Sequence, residues 1–203
     1  MQKIAKCLLS GKKGEFTGCK YMKYNKTVRL KNGKECVIRN ATEKDGKAAL
    51  DLFVLTHEQS DFLRSYPEEN SMTVEDEIGY IVKKCDSENE TELVAVVDGK
   101  TVGLAGIQCI GNSEKLKHRA DFGISIDKDY WGLGIGKAMT EACIECAKTA
   151  GYTQLELEVV ADNKAALSLY KSEGFVEFGR NPKGFRSRLS GWQELILMLL
   201  ELN

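Results

Sequence analysis

The sequence predicts an α/β fold of the α+β mixed-sheet kind, with one parallel strand pair set among antiparallel hairpins. Three observations predict it. Residues Asp121 to Val160 read as strand, Gly-rich turn, helix and strand, and a crossover of that kind leaves its two strands parallel. Asn32-Gly33 and Asp98-Gly99 each sit between short apolar-alternating runs, a strong local signal for a hairpin turn. Thr42 with Asp45 and Thr73 with Asp76 resemble capping boxes that open helical periodicities between those hairpins.

With 203 residues and a formal net charge of -1, the chain suits one sizeable domain with an extension, and it exerts no general electrostatic pull on nucleic acid or membrane. Residues 1 to 40 hold eleven Lys or Arg against two Glu, whereas the rest holds 18 basic and 28 acidic residues. Residues 1–27 therefore read as a basic extension, solvated or docked on an acidic surface, and 28–203 as the folded domain. Seven cysteines without framework spacing read as reduced thiols in a cytoplasmic protein, Cys7 and Cys19 among them. No metal site is expected, since no histidine or second cysteine pair accompanies any cysteine pair.

The first helix takes its apolar face from Ala48, Ala49, Leu52, Phe53 and Leu55, and the second from Ile78, Ile81 and Val82. Between them, Phe62, Tyr66 and Glu68 lie in a polar loop, as packing residues or as contacts to an acceptor. Glu92–Asp98 and Thr101–Ile110 make the second hairpin, where Gly103 and Gly106 suggest a bulge or a close backbone approach. Residues 111 to 119 form a polar loop whose His118 is either solvated or a base near a ligand, while His57 reads as structural. Asp121–Asp127 and Gln154–Val160 are strands, and Ala138 to Ala150 is a helix closed by Gly151. Cys143 and Cys146 on its apolar face suit plain core packing. Asn163 caps a short helix carrying Ala166, Leu167, Leu169 and Tyr170, and Gly174 stops it. Phe175 starts a strand, 181 to 191 reads as a basic loop with Lys183, Arg186 and Arg188, and Trp192–Glu201 is a final strand. Its apolar run suits a buried place in the sheet or the seam of a homodimer.

Gly132, Gly134 and Gly136 stand at alternate positions where a helix begins. A helix start leaves N–H groups without partners, and glycines let an anion approach them closely. Lys137 adds a positive side chain. A plain tight turn would explain the same glycines. Three phosphate-binding classes compete for the loop. A P-loop is opposed by Trp131 in the first Gly place and Ala138 in the Ser/Thr place. A dinucleotide fingerprint is opposed by Met139 in the third Gly place and by the late position of the crossover, although Glu156 lies where a ribose-binding acid would. The third is the pyrophosphate of coenzyme A.

Three pieces in this order, I124-S-I-D-K-D-Y-W-G-L-G-I-G-K137, L155-E-L-E-V-V-A-D-N163 and A165-A-L-S-L-Y170-K-S-E-G174-F175, resemble the GNAT superfamily of acyl-CoA-dependent N-acetyltransferases. The resemblance implies a mostly antiparallel sheet with a central splayed parallel pair flanked by helices, and acetyl-CoA in the splay. Its pantetheine arm would pair with Ile124, Ser125 and Ile126, its pyrophosphate would rest on Gly132, Leu133, Gly134, Ile135, Gly136 and Lys137, and Asn163 would also touch it. Trp131 departs from the family's usual Gln or Arg. By the same resemblance Glu158 is the general base, with Glu156 in reserve, and Tyr170 the proton donor to the departing thiolate. The expected activity is direct acetyl transfer to a primary amine of a small molecule or peptide. A non-catalytic acyl-CoA-binding module is the alternative, and a nucleotide-dependent oxidoreductase a weaker one. For the acceptor, acids at Asp121, Glu156 and Glu158 would favour a cationic amine, whereas Arg186 and Arg188 would favour a carboxylate.

Overall fold

The computed structural model describes residue 19 and residues 21–202. Most of the extension read over 1–27, Cys7 included, lies outside the described residues. Within them the strands are β1 (Asn25–Arg29), β2 (Glu35–Asn40), β3 (Thr91–Val97), β4 (Lys100–Cys109), β5 (Arg119–Ile126), β6 (Gln154–Val160), β7 (Val176–Ser187) and β8 (Gly191–Glu201). The helices are α1 (Gly46–Gln59), α2 (Val74–Cys85), α3 (Ile135–Thr149) and α4 (Lys164–Ser172). The strands form one sheet in the order β1-β2-β3-β4-β5-β6-β8-β7. Only β5 and β6 run parallel; the other neighbours are antiparallel. The expected mixed sheet is therefore present.

Both predicted hairpin turns have the required backbone. Asp98 and Gly99 sit at 50° and 79°, the left-handed pair that a primed two-residue turn needs; in the longer first turn only Gly33 is left-handed, at 84°, and its N–H donates to the Leu30 carbonyl at 2.9 Å. One face of the sheet is covered by α1 and α2, where Ala49, Leu52 and Ile81 pack on Val94 and Leu104. The other is covered by α3 and α4, whose Met139, Cys143, Leu167 and Tyr170 join Phe122, Leu155 and Met198 in the larger core. Thr73 caps α2 as expected, its hydroxyl accepting from the Asp76 N–H at 3.2 Å. The Asp45 carboxylate accepts from the Thr42 N–H, but it heads a short 3-10 turn from which α1 continues.

Four expectations need correction or refinement. The fold reaches back past residue 28, because β1 begins at Asn25 and Met22 is buried in the core. Cys19 is not a spare thiol, since it is joined to Cys85 at the end of α2. The basic stretch 181–191 is not a loop for most of its length: β7 runs on to Ser187 and pairs with β8 across two register shifts. Finally, β8 lies inside the sheet between β6 and β7, so its apolar run is buried there.

Candidate active site

The site is created by two strands that stop pairing. β5 and β6 share a parallel register only from Arg119↔Gln154 to Asp121↔Glu156. Beyond it, β5 continues against β4 to Ile126 and β6 continues against β8 to Val160. The facing edges, Phe122–Ile126 and Leu157–Val159, line a cavity of about 660 Å³. Their inner backbone groups have no strand partner across the gap, so an extended ligand can supply one. Arg119, on the first shared rung, reaches across to Glu156, on the last, through Nε at 2.5 Å and Nη2 at 2.7 Å. Glu156 is thus buried and engaged, which removes the reserve base from consideration.

At the end of β5 the chain turns through the glycines into α3. Gly132 and Gly134 have φ values of 76° and 102°, closed to most side chains. Gly134 is the N-cap of α3 and no side chain caps it, so the first amides of the helix are left for a ligand. Gly132, Gly134, Gly136 and Lys137 all line the cavity. Gly136 is also a packing glycine, because a Cβ there would meet Leu169 at 3.3 Å. Leu133 and Ile135 point elsewhere: Leu133 packs against the core and Ile135 is buried in it, leaving only their backbone for the loop. The Lys137 ammonium is held by Glu173 at 2.6 Å and Glu141 at 3.0 Å, so its charge is largely answered before any anion arrives. Trp131, in the place where the resembled family carries Gln or Arg, donates its indole N–H to the Ile126 carbonyl at 2.8 Å and so braces the turn against the strand end.

Tyr170 of α4 and Glu158 of β6 both face this cavity. Tyr170 is buried between Phe122, edge-on at 6.1 Å, and Phe175 at 5.8 Å. Burial pushes its phenol up to about 12, so the hydroxyl keeps its proton at any working pH. Glu158 is partly open, with the exposed Arg64 guanidinium at 3.4 Å. Ile124, Ser125, Ile126 and Asn163 line the same space, while Asn163 also caps α4 by accepting from the Ala166 N–H at 3.1 Å. Gly-loop amides, unpaired strand edges, phenol and carboxylate thus share one cleft, whose shape fits a long thioester with an anionic end.

A roof closes over the α1/α2 side. The Asp61 carboxylate accepts from Ser187 and Ser190 hydroxyls, both at 2.7 Å, and from Gln193 at 3.1 Å. Arg188 stacks on Tyr66 at 4.1 Å and pairs with Glu68, and Arg186 lies over Trp192 at 5.4 Å. Of the loop residues considered as acceptor contacts, Phe62 lines the cavity, whereas Tyr66 and Glu68 hold the β7–β8 turn. His118 lies away from both cavities described here and uses its carbonyl to accept from the Thr153 N–H. A second cavity of about 360 Å³ adjoins the first and shares Leu63, Arg64, Asp121, Gly123, Ile124 and Ser125 with it. Its far wall carries Glu77, Tyr80 and Glu92, none of which was singled out from the sequence. Burial raises the carboxyls of Asp121, Glu77 and Glu92, the last to about 7.

Comparison with known proteins bears on this arrangement. The profile of the Acetyltransferase (GNAT) family matches residues 52–175. An uncharacterized N-acetyltransferase of Methanocaldococcus jannaschii is 35% identical over 105 residues, covering 51% of this chain and 43% of that protein. The L-amino acid N-acetyltransferase of Escherichia coli K12 is 34% identical over 93 residues, 45% of this chain and 57% of that protein. The matches thus span about half the length of these two relatives. The ribosomal protein bS18-alanine N-acetyltransferase of the same strain is 35% identical over 106 residues, 52% and 68% respectively. Among solved structures, a GNAT-family acetyltransferase of Streptococcus pneumoniae superposes with a TM-score of 0.78 at 28% identity, covering 82% of this chain and 99% of that one. A putative acetyltransferase of Salmonella typhimurium, solved with its cofactor acetyl-CoA, gives 0.74 at 17% identity over 83% and 94%, a likeness of fold.

Proposed function

The chain belongs to the acetyltransferase (GNAT) family, and on that premise we propose that it transfers an acetyl group from acetyl-CoA to a primary amine. The observation that carries this reading is the meeting, in one cavity, of the parted β5 and β6 edges, the uncapped glycine start of α3, Tyr170 and Glu158. Acetyl-CoA, when bound, supplies an acyl group activated as a thioester. The amides of Gly132 to Lys137 would hold its diphosphate, and the free edge at Ile124–Ile126 would pair with its amide-bearing arm.

The residues divide the remaining work. An amine is a nucleophile only when neutral, and Glu158, open to the cavity, accepts its proton directly or through one water. The Arg64 guanidinium lies beside that carboxylate at 3.4 Å. Tyr170, whose proton burial retains, donates to the sulfur side as charge develops there. Unpaired N–H groups on the β5 edge stabilise developing negative charge on oxygen. The acyl group has no protein carrier in this scheme: among the described residues no cysteine lines the first cavity, and free Cys36, Cys143 and Cys146 are buried with thiols raised by that burial.

For the acceptor, the geometry supports a cationic amine over a carboxylate-bearing one. Arg186 and Arg188 are occupied by Trp192, Tyr66 and Glu68, whereas the carboxylates of Asp121, Glu158, Glu77 and Glu92 border the two cavities. The test is release of free coenzyme A thiol across a panel of amines. Turnover that requires both acetyl-CoA and an amine supports the reading, and binding of coenzyme A with no turnover of any amine sinks it.

A further inference from the structure

Across the sheet face beneath α1 and α2, four positions form one row. Glu92 on β3 pairs with Gly106 on β4, and Gly106 pairs with Gly123 on β5. Two residues beyond the last parallel rung, Asp121↔Glu156, the same row meets Glu158 on the parted strand β6. The row is therefore carboxylate, glycine, glycine, carboxylate. Strands in a sheet lie about 4.8 Å apart, so Glu92 stands roughly 10 Å from the β5 edge and about 14 Å or more from Glu158. The two glycines leave the floor between them without side chains. That space is needed: a Cβ at Gly106 would lie 2.3 Å from Glu92 Oε2, because the carboxylate folds over the glycine backbone. The second cavity occupies this floor and opens into the cofactor gap through Gly123, Ile124 and Ser125.

The charges around the far end are unbalanced. Burial raises the Glu92 carboxyl and the Glu77 charge adds to it, while the Lys84 charge and a hydrogen bond with Tyr80 offset this only in part. Lys84 is engaged by Glu90 at 3.0 Å and lies over the Tyr80 ring at 5.3 Å, and Arg64, which lines both cavities, is drawn to Glu158 at 3.4 Å. His57 on the same wall is held neutral by burial, its Nδ1 2.7 Å from the Phe53 carbonyl. A buried carboxylate in a cavity of this kind is best satisfied by a cation brought from outside. The second cavity is floored by backbone at Gly106 and Gly123, which leaves room for an unbranched chain.

We propose that this slot is a second subsite that takes the distal ammonium of a linear acceptor carrying two amines about 10 Å apart, with Glu92 as its anchor and Glu77 and Tyr80 beside it. The inference rests on the amine-acetylation reading and narrows its substrate to bis-cationic chains. One amine lies at Glu158 to react; the other meets the Glu92 carboxylate where it folds over Gly106, and so fixes the reach. Glu92 is then a specificity-determining residue, and the two glycines are its requirement for a clear path.

Three probe amines test it: diaminooctane, diaminopropane and aminooctanol, the last having the same length as the first with a neutral end. Wild-type protein should show kcat/KM for diaminooctane at least about tenfold above both others. Glu92→Gln should bring the ratio of diaminooctane to aminooctanol close to one, mainly through KM. Should that variant fail to fold, the length series on wild type decides alone. Equal turnover of diaminooctane and aminooctanol overturns the subsite while leaving amine acetylation standing. Absence of turnover with every amine, coenzyme A still binding, overturns both.

Discussion

At the scale of single residues the site depends on where protons are kept. Tyr170 is held as a phenol by burial, so Tyr170→Phe should lower kcat by about 10 to 10⁴-fold, and Glu158→Gln should do the same, with the affinity for coenzyme A nearly unchanged in both. Steady-state kinetics beside calorimetric titration of coenzyme A separates the two effects, and wild-type kcat in both variants would remove these roles. Glu92 makes a prediction of a different kind. Its folded carboxyl is pushed up to about 7 by burial against an ordinary 4.5, so the native state binds more protons than the unfolded one between those values. Stability from this group is present at low pH and lost as pH rises through that window. Glu92→Gln should therefore melt near wild type at pH 5 and above it at pH 8, by at most about 3 kcal/mol and less because one edge of the residue opens on the cavity. A variant that melts lower than wild type at pH 8 contradicts the buried-charge argument. That Tyr170 and Glu158 would come to one cavity was legible because their motifs sit on a local strand and helix. Glu92 was not. With a two-residue turn at Asp98-Gly99 and an unbroken ladder it would face Ala105, but the register shift between Ala95 and Val96 moves it opposite Gly106. A bulge re-aims every side chain beyond it, and nothing in the residue types marks where it falls.

At the scale of elements, hairpins and helix starts were legible where a special backbone angle or a cap forces the residue choice, as at Asn32-Gly33, Asp98-Gly99 and Thr73. The second half of β7 was not, because Pro182 and Gly184 argue locally for a loop. Pairing prevails there by skipping residues: the ladder passes from Asn181↔Leu195 to Phe185↔Gln193, and Gly184 has no Cβ because Leu195 lies 2.3 Å from where one would stand. That strand extension brings Phe185 to the wall of the first cavity, and Asp61 fastens the β7–β8 turn beyond it through Ser187, Ser190 and Gln193. Asp61→Ala removes the carboxylate that accepts from the Ser187 and Ser190 hydroxyls, while Gln193 keeps the Asp61 carbonyl and the Ser190 hydroxyl as acceptors, at a cost of about 1–3 kcal/mol. The expected outcome is a melting temperature lowered by several degrees and a raised KM for the amine with coenzyme A affinity kept. Weakened coenzyme A binding with an unchanged amine KM would show that the roof serves the other ligand.

At the scale of the whole molecule, the parallel crossover was legible from its order of strand, glycines, helix and strand, but the point where its strands part was not. That point is decided by competition among neighbours far apart in sequence. β6 follows β8 up to Val160 while β5 follows β4 to Ile126, and Asp121↔Glu156 is the last rung they share, its Glu156 held by Arg119. The sheet is thus two sub-sheets hinged at Asp121, and a ligand in the gap supplies the contacts that β5 and β6 give up. Such a ligand binds the folded chain and not the unfolded one, so coenzyme A at 100 times its Kd should stabilise by about 2.7 kcal/mol. For a chain of this size that is a rise in melting temperature of roughly 5–10 °C. Gly134 tests whether the amides at the helix start contribute. At φ 102°, Gly134→Val carries a backbone cost of about 1–2 kcal/mol in the unliganded protein and places a side chain against the cradle. The variant should melt a few degrees lower and lose most of the coenzyme A shift. A shift of full size in the variant, or one produced equally by NADH in the wild type, would mean that the two halves of the sheet are bridged by some other ligand.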